Sequence, residues 1–163
     1  MSGTIGGAGS KSGVIGLAGG GIKPAVLMYM SAAQTMTHCP SHTKINFDST
    51  VYNFHGTMDT TNKRWIPLVA GYYEAFIFIV GHNVSNTIRC TGQIYKNGNG
   101  GTSVGYYSVN GNFQGEQMNY ETYGAIEMNG TTDYFEGWCN FTASVPQIND
   151  GAAATKLMIH RVN

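Results

Sequence analysis

The sequence has few charged residues. Lysine, arginine, aspartate and glutamate make up 11% of the 163 residues, and their formal charges sum to zero. Nucleic acids and anionic membranes attract clustered lysine and arginine, so the composition argues against both as partners. A net charge near zero also favours association between protein molecules. We therefore expect other protein to cover part of the surface.

Long apolar runs are also absent. No segment reaches the roughly 18 uncharged apolar residues that a membrane-spanning helix needs. Glycines interrupt the candidate runs near the N-terminus, which lacks the apolar core of a signal peptide. We therefore expect the chain to be made in a cytoplasm.

Cysteine is too sparse for a disulfide framework. The sequence has three cysteines, Cys39, Cys90 and Cys139, which is an odd number at wide spacings. Cys90 and Cys139 each lie in a run where apolar and polar residues alternate. Such positions are typical of small core residues.

Residues 1–23 form a glycine-rich arm, with nine glycines in the first 21 positions. Such a segment cannot bury a face of its own. It is either a flexible leader or an anchor that lies extended against a neighbouring subunit. We favour the anchor, with ordering costs of about 1–2 kcal/mol per residue offset by its contacts. Its apolar contact residues would be Ile5, Val14, Ile15 and Leu17.

Apolar and polar residues alternate along most of residues 24–163, and turn residues separate the runs. A period of two indicates strands, and no helical period exceeds one turn. Sheets without helices to cover them pack on each other or close into a barrel. We therefore predict an all-β fold, a two-sheet antiparallel sandwich. The predicted strands are Ala25–Met30, Lys44–Val51, Arg64–Val69, Tyr72–Val80, Ile88–Tyr95, Ser103–Val109, Gly124–Met128, Asp133–Val145 and Thr155–Val162.

Two local patterns make this prediction more specific. Alternation in the second predicted strand places Ile45, Phe47 and Val51 on one face. The dipeptide Asn97-Gly98 supplies the positive φ angles of a hairpin turn.

The predicted strand Tyr72–Val80 is apolar on both faces. A sandwich buries one face of each sheet, so the second face needs a different cover. A subunit contact or a loop could supply it, and we favour the subunit contact. The first face carries Tyr73, Ala75, Ile77 and Ile79, and the second carries Phe76, Phe78 and Val80.

The order of several motifs resembles that of one known fold family. An apolar strand precedes an Ile-x-Phe-Asp strand and an Asn-Lys-Arg-Trp stretch, and a Pro-x-x-Ala-Gly-Tyr-Tyr corner and a Tyr-Lys-Asn-Gly hairpin follow. This order resembles the jelly roll of complement globular-head and tumour necrosis factor-like domains, from about Lys23 to the end. The motifs are Ala25–Met30, Ile45–Asp48, Asn62–Trp65, Pro67–Tyr73, Tyr95–Gly98, Ala125–Asn129 and Leu157–His160.

The resemblance implies a homotrimer, because this jelly roll packs one sheet of each copy around a threefold axis. We place Phe76, Phe78, Val80 and Met158 at that contact. The glycine-rich opening, with Gly9–Gly13, resembles leaders on small virion proteins of tailed bacteriophages that carry this domain. The resemblance thus implies a location in the virion, with capsid or tail subunits as partners.

Two functions fit these expectations. The first is a non-enzymatic structural role, in which a trimer decorates or cements a bacteriophage particle through its arm. The second is a host-receptor or glycan-binding head, in which Tyr106, Tyr107, Tyr120 and Tyr123 contact the ligand, although these tyrosines also fit ordinary cross-strand pairing. We favour the structural role because the short arm leaves no room for a shaft. A secreted signalling trimer is disfavoured by the missing signal peptide and collagen repeat.

The sequence contains few candidate residues for a metal site or a catalytic site. His38–His42 contains two imidazoles and a thiol, but no second ligand pair is evident. Asp59 and Asp133 lie in loops that could bind calcium, yet in no repeated acidic pattern. Gly101–Gly105 spells the Gly-x-Ser-x-Gly of a nucleophile elbow, which needs a helix after the serine, whereas a strand is predicted there. We expect no metal, no cofactor and no catalytic residue.

Overall fold

The computed structural model describes residues 22–36, 41–82, 87–113, 117–142 and 146–162. Within these ranges every secondary-structure element is a β-strand. These ranges contain no helix long and apolar enough to cross a membrane. Ten strands have four residues or more, and three have two. The strands are β1 (Ala25–Tyr29), β2 (Gln34–Thr35), β3 (Thr43–Lys44), β4 (Ser49–Phe54), β5 (Gly56–Asp59), β6 (Arg64–Pro67), β7 (Gly71–His82), β8 (Thr87–Lys96), β9 (Thr102–Phe113), β10 (Gln117–Met128), β11 (Phe135–Phe141), β12 (Gln147–Ile148) and β13 (Lys156–Arg161).

The strands form two antiparallel sheets. Sheet A contains β4, β1, β13, β7 and β10 in spatial order, while β12 pairs with the end of β7 and β2 pairs with β12. Sheet B contains β5, β6, β11, β8 and β9, with β3 beside β11. This arrangement confirms the predicted two-sheet antiparallel sandwich.

The core lies between the sheets and contains a cluster of three aromatic rings. The ring of Trp65 lies 6.0 Å from that of Tyr73 and 6.3 Å from that of Phe135, centroid to centroid. The Tyr73 hydroxyl donates a hydrogen bond of 2.6 Å to the Val69 carbonyl, and Trp65 Nε1 donates one of 2.8 Å to Asn53 Oδ1. Because both polar atoms are satisfied, these large rings can be buried without an unpaired donor.

The predicted strand Lys44–Val51 corresponds to two separate strands in the structure, β3 and β4. β3 lies in sheet B and β4 lies in sheet A, so the chain passes from one sheet to the other between Lys44 and Ser49. Ile45 and Phe47 are fully buried, but Val51 is 58% exposed. The prediction that Val51 shares their buried face is therefore wrong, because the chain changes sheet before it reaches that residue.

The strands β9 and β10 are longer than predicted. The predicted strands Ser103–Val109 and Gly124–Met128 are parts of strands of 12 residues each. In the added part of β10, Met118 and Tyr120 are buried, while their neighbours are exposed. The sequence analysis predicted no strand there, although Met118 and Tyr120 alternate with polar neighbours as residues of a half-buried strand do.

The hairpin between β8 and β9 is confirmed. Asn97 and Gly98 have φ angles of 62° and 86°, and the Gly101 amide donates to the Gly98 carbonyl at 2.9 Å. Lys96 pairs with Thr102 across the turn. The positive φ angles are those that the Asn-Gly dipeptide favours.

Two glycines allow β9 and β10 to meet although these strands belong to different sheets. A Cβ atom at Gly124 would overlap the Val104 carbonyl oxygen, and one at Gly105 would lie 2.8 Å from the Tyr123 carbonyl oxygen. The backbones therefore touch at this point. The contact closes one side of the sandwich between a terminal strand of each sheet.

We expect Gly124→Ala to lower the free energy of unfolding by about 1–3 kcal/mol, because the new methyl group would push two backbones apart. Urea denaturation of the variant would measure the change. Ala125→Ser is the matched control, since the neighbouring side chain is exposed and should change stability by less than about 0.5 kcal/mol. An unchanged Gly124→Ala midpoint would contradict the close approach.

Candidate functional site

The outer face of sheet A carries a row of apolar side chains across five strands. The cross-strand register pairs Tyr123 with Phe76, Phe76 with Met158, Met158 with Leu27 and Leu27 with Tyr52. We call these five residues the apolar row. Tyr123 is 77% exposed, and the other four are partly buried. An outer sheet face that is exposed to water carries mainly polar residues in most antiparallel sheets, so the apolar row is unusual for such a face.

A concavity of about 430 Å³ lies beside the apolar row. Phe76, Tyr123 and Met158 form its apolar wall, and Glu74 and His160 lie on its border. A concave apolar surface can receive side chains from a second protein surface, as the core of an interface does.

Charged side chains flank the apolar row on both sides. On one side, His160 Nε2 lies 3.2 Å from Glu74 Oε2, and both side chains are exposed. On the other side, Lys156 Nζ lies 5.6 Å from the centre of the Phe78 ring, and Glu121 pairs with Phe78 in the register. An apolar centre between polar borders is the arrangement that protein interfaces have.

The structure brings the predicted contact residues together on this face. Phe76, Phe78, Val80 and Met158 all lie on the outer side of sheet A and are partly buried. Their inward neighbours on β7, from Tyr73 to Ile79, are 0–1% exposed. The prediction that β7 is apolar on both faces is therefore confirmed, whereas contact with another subunit stays a prediction.

The sequence analysis did not assign three members of the row to this contact. Leu27 and Tyr52 lie far from β7 in the sequence, and Tyr123 was assigned to ligand binding. Alternation alone could have placed Leu27 outward, opposite Val26 and Met28. Only the pairing of β1, β13 and β10 with their neighbours aligns the residues in one row.

A second surface, the tyrosine groove, lies between β9 and β10 and encloses about 660 Å³. It is bounded by residues of β7, β9 and β10. Tyr123 belongs both to this groove and to the apolar row. The groove is lined by Phe78, Tyr106, Tyr107, Asn119, Tyr120, Glu121, Thr122 and Tyr123.

All four tyrosines predicted to contact a ligand line this groove. Tyr106, Tyr107 and Tyr123 are 50%, 41% and 77% exposed. Tyr120 is 5% exposed, so the prediction of an exposed ring is wrong for this residue. Tyr120 and Tyr123 lie on opposite faces of β10. Tyr120 points into the core, where its hydroxyl donates a hydrogen bond of 3.4 Å to the Thr91 carbonyl.

The groove has a defined polar group at Tyr106. A hydrogen bond from Ser108 lowers the pKa of the Tyr106 hydroxyl, and the nearby guanidinium of Arg89 contributes. Arg89 Nη2 donates to the Tyr106 oxygen at 3.3 Å. The hydroxyl is therefore fixed in position, and it can still donate a hydrogen bond to a bound molecule.

The two described thiols are not available for chemistry. Cys90 and Cys139 are fully buried, as the sequence analysis predicted. Burial raises the pKa of Cys90 to about 12, and burial also raises the pKa of Cys139. Both thiols therefore stay protonated at neutral pH and lack the thiolate that nucleophilic or metal-binding cysteines need.

The residues considered for metal binding are occupied by other contacts. His42 Nε2 lies 3.3 Å from Thr91 Oγ1. Asp59 accepts hydrogen bonds from the side chain and amide of Asn62, which lower its pKa to about 2, with a further contribution from Arg64. No group of three potential metal ligands occurs in the described part of the chain.

Asp133 joins the β8–β9 hairpin to the loop before β11. Its carboxylate accepts from Asn97 Nδ2 at 2.9 Å and from the Asn129 amide at 2.8 Å, and it lies 2.8 Å from Lys96 Nζ. Burial favours a higher pKa for Asp133, but the hydrogen bonds from Lys96, Asn97 and Asn129 lower it below the usual value. This carboxylate therefore has a structural role.

The remaining sequence predictions fall in two groups. Ser103, the serine of the Gly-x-Ser-x-Gly match, lies in strand β9 and no helix follows it, so the nucleophile-elbow geometry is not formed. Six other residues lie outside the described residues, namely the anchor positions Ile5, Val14, Ile15 and Leu17 together with His38 and Cys39.

Comparisons with known proteins identify the fold. No protein-family model and no curated protein matches the sequence. The solved structure of Eiger TNF from S. frugiperda matches with a TM-score of 0.62 and 8% identity, over 86% of this chain and 93% of that chain. The structure of murine APRIL at pH 5.0 matches with a TM-score of 0.64 and 10% identity, over 86% of this chain and 100% of that chain. The structure of murine APRIL at pH 8.5 matches with a TM-score of 0.62 and 11% identity, over 85% of this chain and 99% of that chain.

At these identities the likeness establishes the fold alone. The chain has the jelly roll of tumour necrosis factor-like domains, as its motif order implied. The two antiparallel sheets agree with this fold, and β7 lies between β13 and β10 in sheet A.

We expect Asp133→Asn to lower the free energy of unfolding at pH 7 by about 1–3 kcal/mol, because the buried Asn129 amide and Lys96 lose a charged acceptor. A carboxyl whose pKa is lowered in the folded state stabilises above its unfolded pKa, and the stabilisation disappears as pH falls through the folded pKa. The difference between variant and wild type should therefore shrink on acidification from pH 5 to pH 2. Chemical denaturation at several pH values measures it.

Asp150→Asn is the matched control for this prediction, because Asp150 is exposed. Its stability should follow that of the wild type at every pH. A difference between Asp133→Asn and wild type that stayed constant down to pH 2 would contradict the assignment.

Proposed function

We propose that this chain is a non-enzymatic structural protein that assembles as a homotrimer through the outer face of sheet A. In this proposal the trimer decorates or cements a bacteriophage particle, with residues 1–23 as the docking arm. The observation that carries the proposal is the apolar row, which offers a second copy an apolar surface between polar borders.

The position of β7 favours association through this face. β7 lies between β13 and β10, so its outward phenylalanines are flanked by a strand on each side. Phe76 and Phe78 remain only partly buried within one copy. A second copy would remove this apolar surface from water, at about 25 cal/mol per Å².

Closed cyclic assemblies are the usual form of homo-oligomers, and the jelly roll named above implies three copies around an axis. The near-zero net charge supports assembly as well, because copies with few charges repel each other weakly. The same composition supports protein partners and argues against nucleic acid or membrane partners.

The location in a phage particle rests on sequence features. The glycine-rich arm resembles leaders of small virion proteins that carry this domain. Capsid or tail subunits are then the partners, and the protein would be made in the host cytoplasm before it joins the particle.

The absence of enzymatic activity is also part of the proposal. It is supported by Ser103, which lies within a strand, and by the two core cysteines, whose raised pKa values keep the thiols protonated. The described carboxylates of Asp59 and Asp133 are engaged by neighbouring side chains.

A second candidate function is that of a host-receptor or glycan-binding head. The tyrosine groove favours it, because three partly exposed tyrosines, Tyr106, Tyr107 and Tyr123, line one concavity. The groove shares Phe78 and Tyr123 with the surface proposed for the trimer, so a ligand and a second copy would compete for these residues.

We expect Phe76→Glu to convert the trimer into monomers, because each copy would place a charge in the apolar centre of the contact. Native mass spectrometry at micromolar concentration measures the subunit number, and circular dichroism checks the fold. Leu68→Glu is the matched control, since Leu68 is 56% exposed outside the row. The proposal fails if the wild-type chain is monomeric, or if the folded Phe76→Glu variant remains a trimer.

Deletion of residues 2–22 tests the role of the arm. The shortened protein should remain a soluble trimer, because the apolar row is intact, and it should no longer join phage particles. Particles assembled with the shortened or the full-length protein would be purified and assayed for the protein by mass spectrometry. Incorporation at the full-length level would rule out the arm as the anchor.

A further inference from the structure

We infer that acidification strengthens the contact between copies through His160 and Glu74, which we call the border pair. The inference rests on the proposed homotrimer and adds a regulation to it. His160 takes up a proton from solvent when copies associate, and it then pairs as an imidazolium with the Glu74 carboxylate. The contact is therefore tighter near pH 5.5 than near pH 8.

The border pair is continuous with the apolar row. Glu74 lies two residues before Phe76 on β7. His160 lies two residues after Met158 on β13. Residues two apart in a strand share a face and lie about 7 Å from each other. Both members of the pair also line the concavity beside the row. A second copy that fills the concavity therefore reaches the border pair as well.

The geometry of the border pair suits one shared charge balance. His160 Nε2 lies 3.2 Å from Glu74 Oε2, and the two residues are opposite each other in the pairing of β13 with β7. The two side chains are 53% and 56% exposed in a single copy. Water solvates the carboxylate there, so the pair contributes little to the stability of one copy.

Association of copies changes the environment of the border pair. Removing water from a carboxylate without a cationic partner is costly. A neutral imidazole can donate a hydrogen bond to Glu74, but only an imidazolium also cancels its charge. An imidazole gains its proton between about pH 8 and pH 5. The stabilisation of the contact is therefore fully present below that range and is lost as pH rises through it.

The groups that face the border pair from neighbouring strands leave a positive charge missing. On the β1 side, the ammonium of Lys23 donates to the Val162 carbonyl at 3.0 Å. On the β10 side, Glu127 adds a second outward carboxylate. The strand β4 carries no charged residue. Two carboxylates thus accompany one ammonium, and a proton on His160 makes the border neutral.

The remaining charged groups of this region lie elsewhere. Lys156 and Glu121 lie on the far side of the apolar row. Arg161 follows His160 in β13 and belongs to the opposite face of the sheet, where its side chain lies beside Gly71. Tyrosine hydroxyls lose their protons near pH 10, so those of the outer face stay neutral between pH 5.5 and pH 8.

The other described histidines do not line the concavity. His82 lies on the same outer face but at the other end of β7, opposite Gln117. His55 lies in the turn between β4 and β5. Burial lowers the pKa of His42, and the nearby Arg89 contributes. A pH effect on the contact therefore points to His160, and substitutions can separate it from the other imidazoles.

Sedimentation equilibrium of the full-length protein at pH 8 and pH 5.5 tests the inference. Carboxylic acids titrate mainly below about pH 5, so this range changes imidazoles and leaves carboxylates ionised. We expect the concentration at which half of the chains are trimeric to fall about three- to tenfold on acidification. Circular dichroism at both pH values checks the fold. An equal or higher concentration at pH 5.5 would overturn the inference.

Three variants fix the charges of the border pair. His160→Gln stays neutral, so it should keep the weak association of pH 8 at both pH values. His160→Lys stays charged, so it should associate at both pH values about as tightly as the wild type does at pH 5.5. Glu74→Gln has no carboxylate to compensate, so it should lose the pH dependence and associate at pH 8 at least as tightly as the wild type. Wild-type pH dependence in all three would overturn the inference.

His82→Gln and His55→Asn are the matched controls, because each removes an imidazole outside the border pair. Asparagine is chosen at His55 because it tolerates the positive φ angle of 50° there. Both controls should keep the pH dependence of the wild type. If a control loses it while His160→Gln keeps it, the assignment to the border pair is wrong.

The same measurements separate this inference from the proposed function. A wild-type chain that is monomeric at both pH values would overturn the trimer and the inference together. A trimer that associates equally at both pH values would overturn the inference alone, and the proposed function would stand.

Discussion

The architecture depends on a strand that is apolar on both faces. The side chains of β7 that point into the sandwich are those of Tyr73, Ala75, Ile77 and Ile79. Those of Phe76 and Phe78 point outward. A sandwich buries only one face of each sheet, so the outward phenylalanines remain partly exposed within one copy. The same sequence period therefore builds the core and exposes the surface through which we propose that copies associate.

The outward side chains of β7 form a continuous apolar surface only together with side chains of the neighbouring strands. Antiparallel pairing places Met158 and Tyr123 on either side of Phe76, and β1 and β4 extend the row to Tyr52. Each residue alone would be an ordinary exposed apolar side chain, which needs no explanation. Aligned in one row, they form a continuous apolar surface across five strands.

The tyrosine groove has a different physical origin. β9 and β10 follow each other in the chain but pair with different sheets, and they touch where Gly105 and Gly124 lack side chains. Beyond this point each strand follows its own sheet, and the space between them is lined by aromatic residues. The groove is thus a consequence of the way the jelly roll closes.

Much of this could be predicted from the sequence. The two faces of β7, the core positions of Cys90 and Cys139, the Asn97-Gly98 turn and the sandwich class were all predicted, because each depends on alternation or local turn chemistry. Val51 was misplaced because the chain changes sheet within one alternating run. Tyr120 was misplaced because no strand was predicted before Gly124, so the alternation that separates Tyr120 from Tyr123 was not applied.

The sequence alone determined the local chemistry of this protein, namely which segments are strands, which residues alternate and where the chain turns. It did so because a strand's period and a turn's φ angles depend on neighbouring residues. Tertiary structure alone decided the apolar row and the tyrosine groove. Both surfaces join residues from strands far apart in the chain, and only the pairing register and the closure of the sheets determine which of these residues meet.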